Sequence, residues 1–208
     1  EAAAAPQFLW SLWRVSSQWP GWEQRRAKAL WELHESARSP RVLSLLAAHY
    51  TARRDAERLL QVARLARESA ADSFAANNNF AYLSLLLERN LQPATEIAAR
   101  QYHEQPGNPA SLSTQLLALV RAGRAVEARS LLDAAPPAVR ESPAMALVSA
   151  LVQRAVGNFE AAKEALQRVD PDSLLDAEQR IYREIQREVT APASAPAGAR
   201  QAPRQQPQ

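Results

Sequence analysis

Prolines at positions 6, 40, 109 and 143 stand 34, 69 and 34 residues apart, so a single period of 34 governs most of this chain. Each proline sits where a helix would begin, a position that tolerates the missing N–H because that donor would be unpaired there anyway. Ser39, Asn108 and Ser142 precede three of them and are good N-caps, each worth about 1 kcal/mol. Gly123 and Gly157 repeat the interval, each closing an apolar run as a left-handed residue after a helix should. The small residues Ala94, Ala128 and Ala162 repeat it again. An interval of this length is the signature of stacked supersecondary units, none of which can bury its apolar face alone.

Between these landmarks the apolar residues recur with helical spacing. Leu112, Leu116, Leu119 and Val120 form one stripe, and Ala144, Leu147, Val148, Leu151 and Val152 form another. With 43 alanines, 5 glycines and no cysteine, the composition favours helices over strands and excludes disulfides, thiolate zinc sites and cysteine nucleophiles. The expected fold is therefore all-α, with helix pairs at 6–39, 40–72, 74–108, 109–142 and 143–171 and a closing helix at 173–189. Leu174, Leu175, Ile181, Tyr182 and Ile185 give that last helix an apolar stripe for covering the final pair. Asp176, Glu178, Arg180, Arg183, Glu184, Arg187 and Glu188 would face water, as the cap of a stack requires. The segment 190–208 is Ala-, Pro- and Gln-rich, lacks any side chain able to fill a core, and is expected to be disordered.

Four stretches of this pattern resemble the tetratricopeptide repeat (TPR) family. Leu46, Ala47, Tyr50, Leu59, Ala63 and Ala66 follow that family's order of large and small residues, with Arg54 at the turn glycine. Asn79, Phe80, Ala81, Ala94, Ala98 and Pro106 follow it with one extra loop residue before Pro93. Leu116, Leu119, Gly123, Ala128, Leu132 and Ala135 match again, as do Leu151, Gly157, Ala162 and Leu166. The resemblance implies a right-handed α-solenoid of about five antiparallel helix pairs and bacterial relatives. Its parts would be a divergent, Trp-rich pair at 1–39, repeats at 40–171, a capping helix at 172–189 and the tail.

In such proteins the first helix of each pair lines a concave groove for a peptide. Carried over, the groove would be lined by Ser44, Ala48 and Thr51; Asn78, Tyr82 and Leu85; Ser113, Leu117 and Arg121; and Leu147, Leu151 and Arg154. Asn78, Tyr82, Leu117, Arg121, Leu151 and Arg154 are the expected partner-binding residues. Because arginine grips carboxylates bidentately, an acidic or C-terminal peptide is the expected ligand. The lysine-based carboxylate clamp of chaperone-binding members is not reproduced, since Lys28 and Lys163 are the chain's two lysines and neither lies in these helices.

Little else points to chemistry. No phosphate loop, nucleophile elbow or His-Glu-x-x-His pair occurs, so the chain reads as non-enzymatic, with no cofactor and no metal. His34, His49 and His103 fall in three different pairs and read as separate histidines, not as ligands of one ion. Trp10, Trp13, Trp19, Trp22 and Trp31 crowd the first 31 residues. Trp10, Trp13 and Trp31 read as the core of the first pair, with an aromatic docking surface formed by the tryptophans as the alternative. In Asn77-Asn78-Asn79 the expectation is helix capping plus the asparagine usual in the family, which leaves Asn78 free for the groove.

The net charge is +3, yet the isoelectric point is 9.7, because nearly all the basic residues are arginine. Arg200 and Arg204 carry two of those three charges in the tail, so the rest of the chain is near balance. That makes a nucleic-acid partner the weaker expectation, although helical repeats that read RNA, or a docking segment of a larger enzyme, stay open as alternatives. No apolar run approaches the roughly 20 residues of a membrane helix, and the chain is expected to be soluble. Starting at Glu1, it reads as processed or as part of a longer protein. The compartment is open between bacterial cytoplasm and, if an upstream signal or anchor was removed, periplasm. The register itself predicts that Ala128→Arg unfolds the C-terminal half, to be read as lost far-UV helicity and a lower melting temperature.

Overall fold

The structure, a computed structural model, describes residues 10, 11, 13, 14 and 21–190. Among these residues it is all-helical, with eleven α-helices and no strand. They are α1 (Glu23–Ala37), α2 (Pro40–Ala52), α3 (Ala56–Ser69), α4 (Phe74–Leu86), α5 (Leu91–Glu104) and α6 (Pro109–Arg121). After these come α7 (Ala125–Ala134), α8 (Pro137–Arg140), α9 (Pro143–Ala155), α10 (Phe159–Leu166) and α11 (Asp176–Thr190), with a 3₁₀ turn at Pro171–Ser173. Residues 10, 11, 13 and 14 are helical too. Pro6, Trp19 and the segment 191–208, on which the first landmark, one indole and the tail rest, lie outside the described residues.

Pro40, Pro109 and Pro143 each occupy the first turn of their helix, as the spacing requires. The caps divide. Asn108 accepts from the Ala110 amide at 3.0 Å, whereas the Ser39 and Ser142 side chains make no cap hydrogen bond. Ser142 Oγ donates instead to Val139 O at 2.7 Å.

Four turns share one geometry. A residue with positive φ follows α2, α4, α6 and α9: Arg54 (58°), Glu88 (56°), Gly123 (73°) and Gly157 (78°). In each turn that residue donates to the carbonyl three back and its successor to the carbonyl five back. The longer bonds are Asp55 N to Tyr50 O (3.0 Å), Arg89 N to Ser84 O (2.8 Å), Arg124 N to Leu119 O (2.9 Å) and Asn158 N to Gln153 O (2.9 Å). These bonds satisfy carbonyls that every helix end leaves unpaired. The turns are short enough that α2/α3, α4/α5, α6/α7 and α9/α10 fold back as helical hairpins.

Close approach of the helices depends on side chains no larger than a methyl group. Ala94, Ala128 and Ala162, the residues that share the period, are all fully buried. Each hairpin also packs on the next: α3 meets α4, α5 meets α6, and the first helices α4, α6 and α9 form a continuous row. Leu112, Leu116, Leu119, Leu132, Met145, Val148 and Val152 fill the space between α6, α7 and α9. Trp10, Trp13 and Trp31 pack against the larger core, which agrees with the core reading of these indoles. Among the described residues, no helix is long and apolar enough to cross a membrane.

The last helix covers the final pair, as its stripe requires, and also reaches beyond it. Leu174, just ahead of α11, and Ala177, Ile181 and Ile185 within it are buried against α9 and α10, while its start reaches back to the turn between α2 and α3. There the Asp176 amide donates to Arg54 O at 2.8 Å, and Asp176 Oδ1 accepts from the Ala56 amide at 3.1 Å. Asp176 is exposed, as the amphipathic pattern requires, yet makes tertiary contacts; Glu178, also assigned to water, is half-buried.

Arg54 spends energy on its left-handed backbone, a cost of about 1–2 kcal/mol that glycine avoids, partly offset by glycine's greater unfolded entropy. Its exposed contact with Asp172 at 4.0 Å adds little. Arg54→Gly is expected to stabilise the fold by about 0.5–1 kcal/mol, raising the melting temperature by roughly 1–4 °C in calorimetry.

Candidate functional site

A cleft opens between α2 and α4. Helix α2 meets α3 and α3 meets α4, yet α2 and α4 do not close on each other as α4 and α6 do. The space left between them, about 570 Å³, is floored by α3 and bounded at one end by the segment leading into α11. Leu43, Ser44, Ala47 and Thr51 recur at helical spacing along one face of α2, and Ala75, Ala76, Asn79, Tyr82 and Leu83 along one face of α4. Ala63, Ala66 and Ala70 line the floor. So many methyl-sized side chains leave volume where a repeat with larger residues would be filled, and the size falls within the usual range for ligand sites.

The polar groups in the lining are mostly hydroxyls. Ser44 Oγ donates to Pro40 O at 3.2 Å. The side chains of Thr51 and Asn79 are exposed and make no hydrogen bond among the described residues. Glu178 is the one charged side chain in the lining. Its Oε1 accepts from the Tyr82 hydroxyl at 2.5 Å, and its Oε2 accepts from the Leu175 amide at 2.8 Å, which caps α11. Burial, followed by the Glu178 charge and the hydrogen bond to it, holds the Tyr82 phenol well above its ordinary value of 10.0. The pair also separates the cleft from a smaller one of about 310 Å³ lined by Leu147, Val148, Arg168 and Asp170.

Most residues expected to line an open groove are already engaged. Leu117 and Leu151 are 1% and 6% exposed, and they share a core with Leu174, Ala177, Ile181 and Ile185. The stripe of α11 occupies the place reserved for a partner. Arg121 donates to Leu85 O (3.1 Å) and Leu86 O (3.4 Å), carbonyls in the last turn of α4, and lies 2.6 Å from Glu88. Arg154 forms a fork with Glu188, one arm at 2.7 Å, and sits 3.9 Å from Glu184. The hydrogen bond to Glu188 pushes the Arg154 guanidinium above its ordinary value. Neither arginine is free to hold an acidic peptide in this conformation.

Asn78 is buried and accepts from Thr114 Oγ1 at 2.9 Å, joining α4 to α6. Asn77 is buried as well, bonded to Arg67, Ala71 O and Ser73 O. The asparagine in the cleft is Asn79, one residue from the expected position and thus about 100° around the helix. Of the six residues expected to bind a partner, Tyr82 alone lines this cleft. Asn79 was legible as lying three residues before Tyr82, on the same face. Glu178 carried no such signal, because 96 residues separate it from Tyr82.

His34, His49 and His103 lie on α1, α2 and α5. No group of three potential metal ligands occurs among the described residues. No family model, curated protein or solved structure matches this chain.

The phenol gives an alkaline signature. Between pH 10.0 and its folded value, Tyr82 keeps a proton in the native state that the unfolded chain has lost, so stability falls as pH rises through that window. Tyrosinate absorption should contain one component ionising well above pH 10.0. Tyr82→Phe should remove that component and flatten the alkaline loss of stability.

Proposed function

We propose that this chain is a non-catalytic, TPR-like right-handed α-solenoid that binds another protein by seating a peptide segment in the cleft between α2 and α4. The row of first helices would form the concave face. The observation that carries the reading is the division of that face: α11 packs on α9 and leaves a smaller cleft there, while the stretch between α2 and α4 stays open, with many methyl-sized side chains in its lining. An apolar concavity of this size is what a binding site needs, and a packed core would leave no such space. Ion pairing of Arg121 and Arg154 counts against a polyanion partner, which would need unpaired basic charge on one face.

Peptide-display selection on the immobilised full-length chain tests this. Thr51 and Asn79 are exposed, so Thr51→Trp and Asn79→Trp can block the cleft without disturbing the core. Selected peptides should bind the wild type and lose binding to both variants at unchanged melting temperature. Peptides held equally by wild type and variants would move the site elsewhere.

A further inference from the structure

We infer that the segment this cleft accepts carries bulky apolar side chains beside an arginine or lysine, whose cation is held by Glu178. The inference rests on the peptide-binding reading and names the chemistry of the peptide.

Two observations lead there. The first is charge. Glu178 is the sole ionisable acid or base in the lining apart from the Tyr82 phenol, and among the described residues no cation lies within ion-pairing distance of it. The other carboxylates α11 turns toward α9, Glu184 and Glu188, are paired with Arg154. A carboxylate offers about four acceptor sites, and Tyr82 and the Leu175 amide use two of Glu178's. Both partners donate, so the group is positioned without being neutralised. A half-buried carboxylate held this way favours a guanidinium or ammonium and repels an acidic ligand. The sign is the reverse of what Arg121 and Arg154 suggest when they are read as open groove residues.

The second observation is volume. Leu43, Leu59, Val62 and Leu83 make the walls apolar, and Ala47 and Ala66 between them leave about 570 Å³ open, so the bulk that fills it must come from the occupant. A ligand of small residues would leave the cleft largely unfilled and forfeit the dispersion and burial that make an apolar site bind.

The display selection on the full-length chain decides the matter, followed by titration of the best synthetic peptides. Peptides enriched in Arg or Lys beside Leu, Ile, Phe or Trp are expected. Glu178→Gln should weaken them by roughly tenfold and make their binding less sensitive to salt. Enrichment is read on the wild type, so it decides even if Glu178→Gln unfolds. If peptides lost in Thr51→Trp are rich in Asp or Glu, or bind Glu178→Gln as well as the wild type, this inference falls and the peptide-binding reading survives. If no peptide is lost in Thr51→Trp, both fall. A dimer in solution that Thr51→Trp dissociates would give the cleft to a second copy of the chain, and also overturns the assignment.

Discussion

The reciprocal hydrogen bonds between Asp176 and the turn joining α2 to α3 close the structure, linking residues 120 positions apart. They add little energy, about 1 kcal/mol each, beside the burial of Leu174, Ile181 and Ile185, worth about 1.5–3 kcal/mol apiece. Burial holds α11 down; the hydrogen bonds decide where it starts. Because its start is pinned at Arg54 and Ala56 and its end is clamped by Arg154, α11 runs over α9 and leaves the space between α2 and α4 uncovered. The position of the cleft is a consequence of that docking.

The same docking settles the electrostatics of this face. Arg121 is turned toward the end of α4, where two carbonyls and Glu88 take its donors, and Arg154 is spent on α11 itself. What α11 brings to the cleft in return is Glu178, fixed by Tyr82 and by its own helix cap. A face whose sequence positions carry arginine thus presents a carboxylate at the cleft between α2 and α4. The Tyr82 phenol, kept neutral by burial and by that carboxylate, is the donor that orients it.

Local structure was legible because its causes are local. Proline at the first turn, a left-handed residue after each first helix and an alanine at each close approach all act within one repeat, so the 34-residue spacing exposes them together. Arg54 and Glu88 show that the backbone geometry outranks the residue type: both adopt the glycine conformation because the turn's two hydrogen bonds require it. The site was less legible. Asn78 and Asn79 differ by one position in a polar triple whose pattern cannot say which face meets α6. Leu117 and Leu151 were expected to be open to a partner, and both are buried; on α9 the helix packed over them arrives from a later part of the chain.

By itself, then, the sequence determined the helices, their pairing and the residues that bring them close, since each follows from spacing within about 34 residues. Which space between the helices stays open, and which charge it presents, was decided only by tertiary structure. An amphipathic stripe records that α11 must bury one face and says nothing of what it will bury it against. That choice rests on contacts such as Asp176 with Ala56 and Glu178 with Tyr82, whose partners share no local pattern.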